Sequence, residues 1–295
     1  MEKNNLDKAS NIIVIWYDPS MGSLEEHIPL LWNGKRNSRL GSNNDLTLVF
    51  LDGISSLEKS YLDELQDVGY QLVDASKIYD TLDVKYKNLD IFGDYEKHCF
   101  LRWLVLAELF PSQPLIHYDG DIVCNISPEK ISKMVKGKTF VLDGCPAFTV
   151  ISESKWLSIY QQELNKLVKN PAEYGLDWKG TKYRKNIGSD QDLIDYLVQK
   201  KLLPQDPLPT SRYSFVENPL TIIHSKPSNL AFWHMQTDYI HYLNLRYMLA
   251  PYGLSSLAPN PLTTSPILLK FIYLLGRIAG RGYLSRLQIY QYVFD

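Results

Sequence analysis

The chain has 295 residues, of which 45% are hydrophobic and 22% charged, a composition typical of one large globular domain or two small ones. This composition excludes a disordered, collagen-like or coiled-coil protein. The 31 basic and 33 acidic residues give a net charge of −2, which argues against a broad basic surface for nucleic acid.

Apolar runs alternate with helical patterns through the first 126 residues. The predicted strands are Asn11–Tyr17, Leu46–Leu51, Tyr70–Val73 and Leu115–Tyr118. Between the first two lies Trp32–Asn44, expected to be a surface loop or a short helix. The predicted helices are Ser55–Val68, opened by a capping box of Ser55 and Glu58, and Asp94–Phe110, with Phe100, Trp103, Leu104 and Ala107 on one apolar stripe. This order predicts an α/β protein with a mostly parallel, mixed sheet flanked by helices.

The rest of the chain continues the pattern and ends in helices. A helix capped by Ser127 is expected, followed by strands Phe140–Leu142 and Phe148–Ile151, helix Ser152–Val168, polar loop Asn170–Ile187, a capped helix Ser189–Lys201 and strand Leu220–Ile223. No separating linker is evident. We therefore expect residues 1–235 to form the α/β domain, with a helical extension, residues 236–295, packed on it as one structural unit.

Two carboxylates follow the fourth predicted strand. Ligands of open α/β sheets bind beyond the carboxyl ends of the strands, and the i, i+2 spacing puts Asp119 and Asp121 on one face of an extended chain. A divalent cation such as Mg²⁺ or Mn²⁺ would relieve the repulsion between them. The alternative is an ordinary turn, because Asp-Gly is common in turns.

Three motifs, in this order, resemble the GT-A glycosyltransferases, most closely the family of glycogenin and the bacterial lipopolysaccharide galactosyl- and glucosyltransferases. They are the stretch Cys99–Asn125 with Arg102, Pro111 and Tyr118-Asp119-Gly120-Asp121-Ile122-Val123, the segment Gly188–Leu193, and the segment Ile222–Pro227. The resemblance covers residues 11 to 235. It departs from the family in the short spacing of His224 and Lys226 and in Asp143-Gly144-Cys145-Pro146, which leaves retention or inversion at the sugar open.

The resemblance implies a role for each matching residue. Asp121 would ligate Mn²⁺ or Mg²⁺ directly, and Asp119 would touch the donor ribose or the metal through water. His224 would be the third ligand, with His234 as its competitor. The other implied contacts are Arg102 and Lys226 to the donor, and Asp190 and Gln191 to the sugar. Tyr17, at the end of the first predicted strand, is expected to stack on the nucleotide base, with Asp18 near it or in an ordinary Asp-Pro turn. Loop Asn170–Ile187 is expected to order over the donor.

The predicted function is transfer of a sugar, as by a hexosyltransferase, from a nucleotide-sugar donor, with UDP as the expected nucleotide, to a glycan or lipid-linked acceptor. A non-catalytic nucleotide- or carbohydrate-binding protein of the same fold remains an alternative, and so does a phosphohydrolase using the Asp-x-Asp pair. A nucleotidyltransferase is disfavoured because a Gly-rich phosphate loop near the N-terminus is missing.

Three scattered cysteines and a polar N-terminus without a signal-like apolar stretch indicate a cytoplasmic location. The C-terminal stretch from Pro266 to Ile278 is densely apolar and is punctuated, with the residues after it, by Lys270, Arg277, Arg281 and Arg286. It predicts either helices packed on the core with solvated arginines or a peripheral contact with the inner face of an anionic membrane.

Overall fold

The computed structural model describes residues 9–18, 22–41, 46–142, 145–170, 188–208, 231–255, 265–278, 280 and 282–295. The predicted strand Leu220–Ile223 and loop Asn170–Ile187 lie outside these residues. The strands are β1 (Ser10–Ile15), β2 (Leu46–Phe50), β3 (Tyr70–Asp74), β4 (Leu115–Tyr118), β5 (Ile122–Cys124), β6 (Phe140–Leu142), β7 (Cys145–Ile151) and β8 (Phe232–His234).

Eleven α-helices are found in the part of the chain that the structure describes. They are α1 (Leu24–His27), α2 (Leu30–Arg39), α3 (Lys59–Asp67), α4 (Ser76–Lys85), α5 (Asp94–Leu109), α6 (Pro128–Met134), α7 (Lys155–Lys169), α8 (Asp190–Gln199), α9 (Thr237–Leu249), α10 (Pro266–Ile278) and α11 (Arg286–Phe294). The residues group into two compact units. The first comprises the described residues within 1–17, 37–120 and 127–211, and the second those within 18–36, 121–126 and 212–295. The division at residue 235 stays a prediction.

The first unit contains a six-stranded sheet in the order β3-β2-β1-β4-β7-β6. Strands β3, β2, β1 and β4 are parallel, and β7 pairs antiparallel with both β4 and β6. The near-continuous apolar sequences of β1 and β2 suit such a sheet, whose strands are buried on both faces. The predicted α/β class with a mostly parallel, mixed sheet is confirmed.

Helix α5 forms the centre of the first unit's core. The expected stripe, Phe100, Trp103, Leu104 and Ala107, accounts for only part of its buried surface, because Leu101, Val105 and Leu106 are fully buried too. Apolar residues on more than one side of its middle turns are typical of a helix that is buried there. Trp103 packs against Trp156 of α7 with ring centroids 5.3 Å apart, and Trp156 stacks nearly parallel on Tyr160 at 5.9 Å.

The start of α3 differs from the prediction. The capping box of Ser55 and Glu58 does not form; the helix begins at Lys59. The reason lies at the end of β3, where the carboxylate of Asp74 accepts hydrogen bonds from the Ile54 N–H at 3.3 Å and from the Ser76 N–H at 3.0 Å. A tertiary contact thus holds the chain in turns where the local pattern predicted helix.

Gly53 lies within this turn. Its φ of +83° is in the left-handed region, and a Cβ there would lie 3.2 Å from Ser76 Cβ and 3.3 Å from both carboxylate oxygens of Asp74. Glycine is therefore required for backbone conformation and for space. The Ser127 cap of α6 is as predicted, since its hydroxyl accepts the Lys130 N–H at 3.3 Å.

The second unit is built on a two-stranded antiparallel ladder of β5 and β8 with helices around it. Its core contains Val123 of β5, Trp233 of β8, and Ile289, Tyr290 and Phe294 of α11. No helix among the described residues is long and apolar enough to cross a membrane.

Candidate functional site

The first unit has a topological switch point between β1 and β4. From β1 the chain adds β2 and β3 on one side and then returns to place β4 on the other. In such sheets the crevice beyond the carboxyl ends of the two central strands is where ligands bind. Trp16 and Tyr17 follow β1 at this edge, and Asp119 follows β4.

An arginine joins two carboxylates at this edge. Arg102 of α5 donates from Nη1 to Asp119 Oδ1 at 2.7 Å, and from Nη2 and Nε to Asp190 Oδ2 at 2.7 and 3.0 Å. Trp103 Nε1 donates to the same Asp190 oxygen at 2.8 Å. The structure therefore brings together three residues that the sequence motifs named, Arg102, Asp119 and Asp190.

Burial sets the electrostatics of this cluster. The side chain of Asp190 is only 4% exposed, and burial raises its pKa despite the opposing charge of Arg102 and the hydrogen bond from Trp103. Burial would lower the pKa of Arg102, but the two carboxylates outweigh it and hold that pKa above its ordinary value. Arg102 thus stays cationic and can orient both carboxylates with its planar fork.

His117 is a buried neighbour of Asp119 that the sequence analysis missed. Its Nδ1 lies 3.1 Å from the carbonyl oxygen of Pro146, and its Nε2 lies 3.8 Å from Asp119 Oδ1 without a hydrogen-bond partner among the described residues. Burial, reinforced by the charge of Arg102, lowers its pKa to about 3, so the ring is neutral. The sequence could have indicated His117, because it stands two residues before Asp119 and so lies on the same face of an apolar strand.

An aromatic group lies beside the end of β1. Trp16 stacks on His98 with ring centroids 4.0 Å apart, and the Tyr79 hydroxyl lies 2.5 Å from His98 Nδ1. The Tyr17 N–H donates to Asp52 Oδ2 at 3.3 Å, in the turn after β2. The sequence analysis chose Tyr17 as the ring for the base and overlooked Trp16, which stands one residue earlier.

Two acidic residues at the start of α8 have different partners. Ser189 makes no side-chain capping bond, contrary to the prediction. Instead Asp192 Oδ2 accepts the Gly188 N–H at 2.9 Å, so this carboxylate stabilises the helix start. Asp190 is the one that bonds Arg102, while Gln191 is half-buried beside it.

In the second unit, the ladder of β5 and β8 places Asp121 beside His234. Ile122 is paired with His234, and the Met235 N–H donates to the Asp121 carbonyl at 2.9 Å. As a result, His234 Nε2 lies 3.5 Å from Asp121 Oδ1, and Arg286 Nη1 of α11 lies 3.4 Å from Asp121 Oδ2.

The prediction that Arg286 is solvated or faces a membrane is wrong. The sequence analysis counted it among cations available to solvent or a membrane, but it is mostly buried, it faces Asp121, and it donates to the Met235 carbonyl at 3.2 Å. Burial would raise the pKa of Asp121, but the protonated form of His234 and the charge of Arg286 outweigh it and hold that pKa well below its ordinary range. Asp121 is therefore ionised.

The donor set around Asp121 fits a divalent cation. Asp121 Oδ1 is buried and has no hydrogen-bond partner among the described residues, while the nearby imidazole of His234 offers a nitrogen that suits Mn²⁺. The amide nitrogen of Gln236 lies 3.1 Å from His234 Nδ1. Turning this amide end for end would let Nδ1 donate to the amide oxygen and leave the Nε2 lone pair for a cation.

The remaining site predictions are not tested. His224 and Lys226 lie outside the described residues, so the ligand expected at His224 has no structural account, whereas its competitor His234 does. Asp18 is half-buried in the second unit. Its contact with the base and that of Tyr17 stay predictions.

Comparisons with known proteins found distant likenesses only. Mouse xyloside xylosyltransferase 1 in its apo form is similar at 11% identity and a TM-score of 0.49, over 78% of this chain and 98% of that one. The PaToxG glycosyltransferase is similar at 17% and 0.39, over 65% and 70%. The apo glycosyltransferase GlyE of Streptococcus pneumoniae TIGR4 is similar at 12% and 0.35, over 95% and 66%.

No family model and no curated protein matches the chain. Because the structural likenesses are so distant, the functional argument rests on this chain's own residues.

Proposed function

We propose that the protein is a cation-dependent glycosyltransferase of GT-A architecture, a hexosyltransferase that moves a sugar from a UDP-sugar to a glycan or lipid-linked acceptor. The observation that carries the proposal is Asp121 itself. It follows the switch-point strand β4 within the Asp119-Gly120-Asp121 motif, and its buried Oδ1 faces His234 without a hydrogen bond from any described residue.

The cation is assigned to Asp121 and His234. Mn²⁺ or Mg²⁺ bound there would supply positive charge to the diphosphate that leaves when the bond between the sugar carbon and the phosphate oxygen breaks. Asp119, two residues earlier in the chain, remains assigned to the ribose or to the metal through water.

The sequence motifs and the end of β1 assign further residues to the donor. Trp16 and Tyr17 at the end of β1 offer flat rings for a nucleotide base. Arg102 holds Asp119 and Asp190 in place, so that their free lone pairs can accept hydrogen bonds from donor hydroxyls. Asp190 and Gln191, at the start of α8, are assigned to the sugar, and Lys226 to the diphosphate.

Turnover of nucleotide sugars tests the proposal. The protein is incubated with UDP-glucose, UDP-galactose, UDP-xylose and their N-acetyl relatives, with Mn²⁺ or EDTA, and UDP release is measured without an added acceptor. We expect slow, Mn²⁺-dependent hydrolysis of at least one donor, lost in Asp121→Asn and kept in Asp63→Asn, an exposed carboxylate on α3.

The other outcomes identify the rival functions. Binding of UDP without any turnover, even with simple glycans present, would indicate a binding protein. Release of phosphate from p-nitrophenyl phosphate that depends on Asp121 would indicate a phosphohydrolase. Either result would contradict the transferase assignment.

A further inference from the structure

Helix α10 exposes a continuous apolar stripe. The large side chains that stand out from it are Ile267 (81% exposed), Leu268 (46%), Phe271 (55%), Leu274 (54%), Leu275 (45%) and Ile278 (75%). Positions 267, 271, 274 and 278 recur at the spacing of one helix face. Soluble proteins seldom leave so many large apolar side chains together in water, so this stripe needs a partner.

Basic residues flank the stripe. Lys270 is exposed, and position 277, an arginine in the sequence, follows seven residues later, which is two helical turns along the same side. At 100° per residue, both positions fall beside the apolar face rather than within it. The long cationic side chain of Lys270 can extend to a polar surface while its apolar neighbours are buried.

The charge of the surrounding sequence has one sign. From Tyr239 to Phe294 the chain contains no Asp or Glu, whereas it contains Arg246, Lys270, Arg277, Arg281 and Arg286. Of these, Arg286 is engaged by Asp121, and Lys270 is exposed. This basic segment belongs to a protein whose net charge is −2, so its charge is a local feature. A partner that combines apolar material with negative charge would complement it.

We propose that the exposed stripe of α10 binds the surface of an anionic membrane, with its apolar side chains among the acyl chains and its basic flank at the lipid headgroups. The thirteen residues of α10 extend about 20 Å, short of the roughly 30 Å hydrocarbon layer, so the helix lies in the interface.

A second copy of the chain fits the stripe less well. A two-fold contact through the same face would bring Lys270 and position 277 against their own equivalents, and like charges oppose such a contact. The membrane assignment is independent of the proposed function, because vesicle binding requires neither donor nor cation.

Vesicle flotation tests the assignment. The full chain is mixed at low salt with vesicles of phosphatidylcholine containing 30% phosphatidylglycerol, or of phosphatidylcholine alone, and the floated fraction is measured. We expect binding to the anionic vesicles only. Lys270→Gln should lower the partition coefficient about fivefold, and Phe271→Glu with Leu274→Glu at least about a hundredfold.

The matched control is Val84→Glu with Ile91→Glu, which places two acids on exposed apolar positions of the first unit and should float like the parent. All variants replace exposed residues, and circular dichroism checks that they fold. The assignment is overturned if the parent does not float, if it floats equally with both vesicles, or if the α10 variant and the control behave alike. A dimer in light scattering, dissociated by the α10 substitutions and indifferent to vesicles, would instead assign the stripe to self-association.

Discussion

Arg102 donates hydrogen bonds to carboxylates from two different elements, one after β4 and one at the start of α8. Arg102 therefore contributes to the stability of the fold, independently of any reaction. Removing one partner of a buried ion pair leaves an uncompensated charge, which is more destabilising than replacing the whole pair. This cost falls on Asp190, because its side chain is buried, whereas that of Asp119 is partly exposed.

We therefore expect Arg102→Met to lower the free energy of unfolding by about 3 kcal/mol. The double variant Arg102→Met/Asp190→Asn should recover part of that loss, because the remaining amide carries no charge. Urea denaturation of the single and double variants measures both values. Arg39→Met, at an exposed position, is the control. A double variant less stable than Arg102→Met would contradict the role given to this pair.

His98 gives the fold a pH dependence of its own. Burial lowers its pKa from 6.5 to about 4, so the unfolded chain binds a proton more readily than the folded protein between these values. The contribution of neutral His98 to stability is therefore complete above pH 6.5 and is lost as the pH falls toward 4.

We predict that His98→Phe, which keeps a ring against Trp16, reduces the loss of stability between pH 7 and pH 4.5 by about 1 to 2 kcal/mol, a figure discounted because the ring is partly exposed. Chemical denaturation at several pH values measures the difference, with His27→Phe at an exposed site as the control. Parallel pH profiles for parent and His98→Phe would show that His98 does not titrate as described.

At the scale of elements, the sequence predicted what short-range patterns encode. The apolar runs of β1, β2 and β4 and the Ser127 cap of α6 follow local rules, and the structure has them. The Ser55 capping box obeys the same rule and fails, because Asp74, almost twenty residues away, holds the turn instead. The placing of His234 at Asp121 depends on the pairing of β5 with β8 across more than a hundred residues, and no local pattern encodes that pairing.

Helix α11 is the element that positions Arg286. Its start has a complete capping box: the Ser285 hydroxyl accepts the Gln288 N–H at 3.3 Å, and the Gln288 side chain accepts the Ser285 N–H at 2.9 Å. Ser285→Ala should cost about 1 kcal/mol and accelerate hydrogen exchange in the first turn of α11. Ser127→Ala is the matched control, since it should loosen α6 and leave α11 unchanged. If amide hydrogen exchange in the first turn of α11 were the same in Ser285→Ala as in the parent, the capping box would not stabilise the helix start.

At the scale of the whole molecule, the sequence predicted the class of fold and the motif residues. The residues proposed to bind the cation could be chosen only from the structure. Arg102, Asp119 and Asp190 were named from motifs and do meet. For the imidazole, the motif favoured His224, whereas the described geometry supports its competitor, His234. Motif spacing is a one-dimensional signal, whereas the strand register that places His234 beside Asp121 is set by a distant segment.

The central claim is that Asp121 and His234 hold a cation that binds the diphosphate of a nucleotide. Calorimetric titration of the protein with UDP, once with saturating Mn²⁺ and once with EDTA, measures it directly. We predict that UDP binds at least about tenfold more tightly with Mn²⁺, because the ligated cation adds a charge-assisted contact worth more than about 1.4 kcal/mol. Equal UDP affinity with Mn²⁺ and with EDTA would contradict the claim.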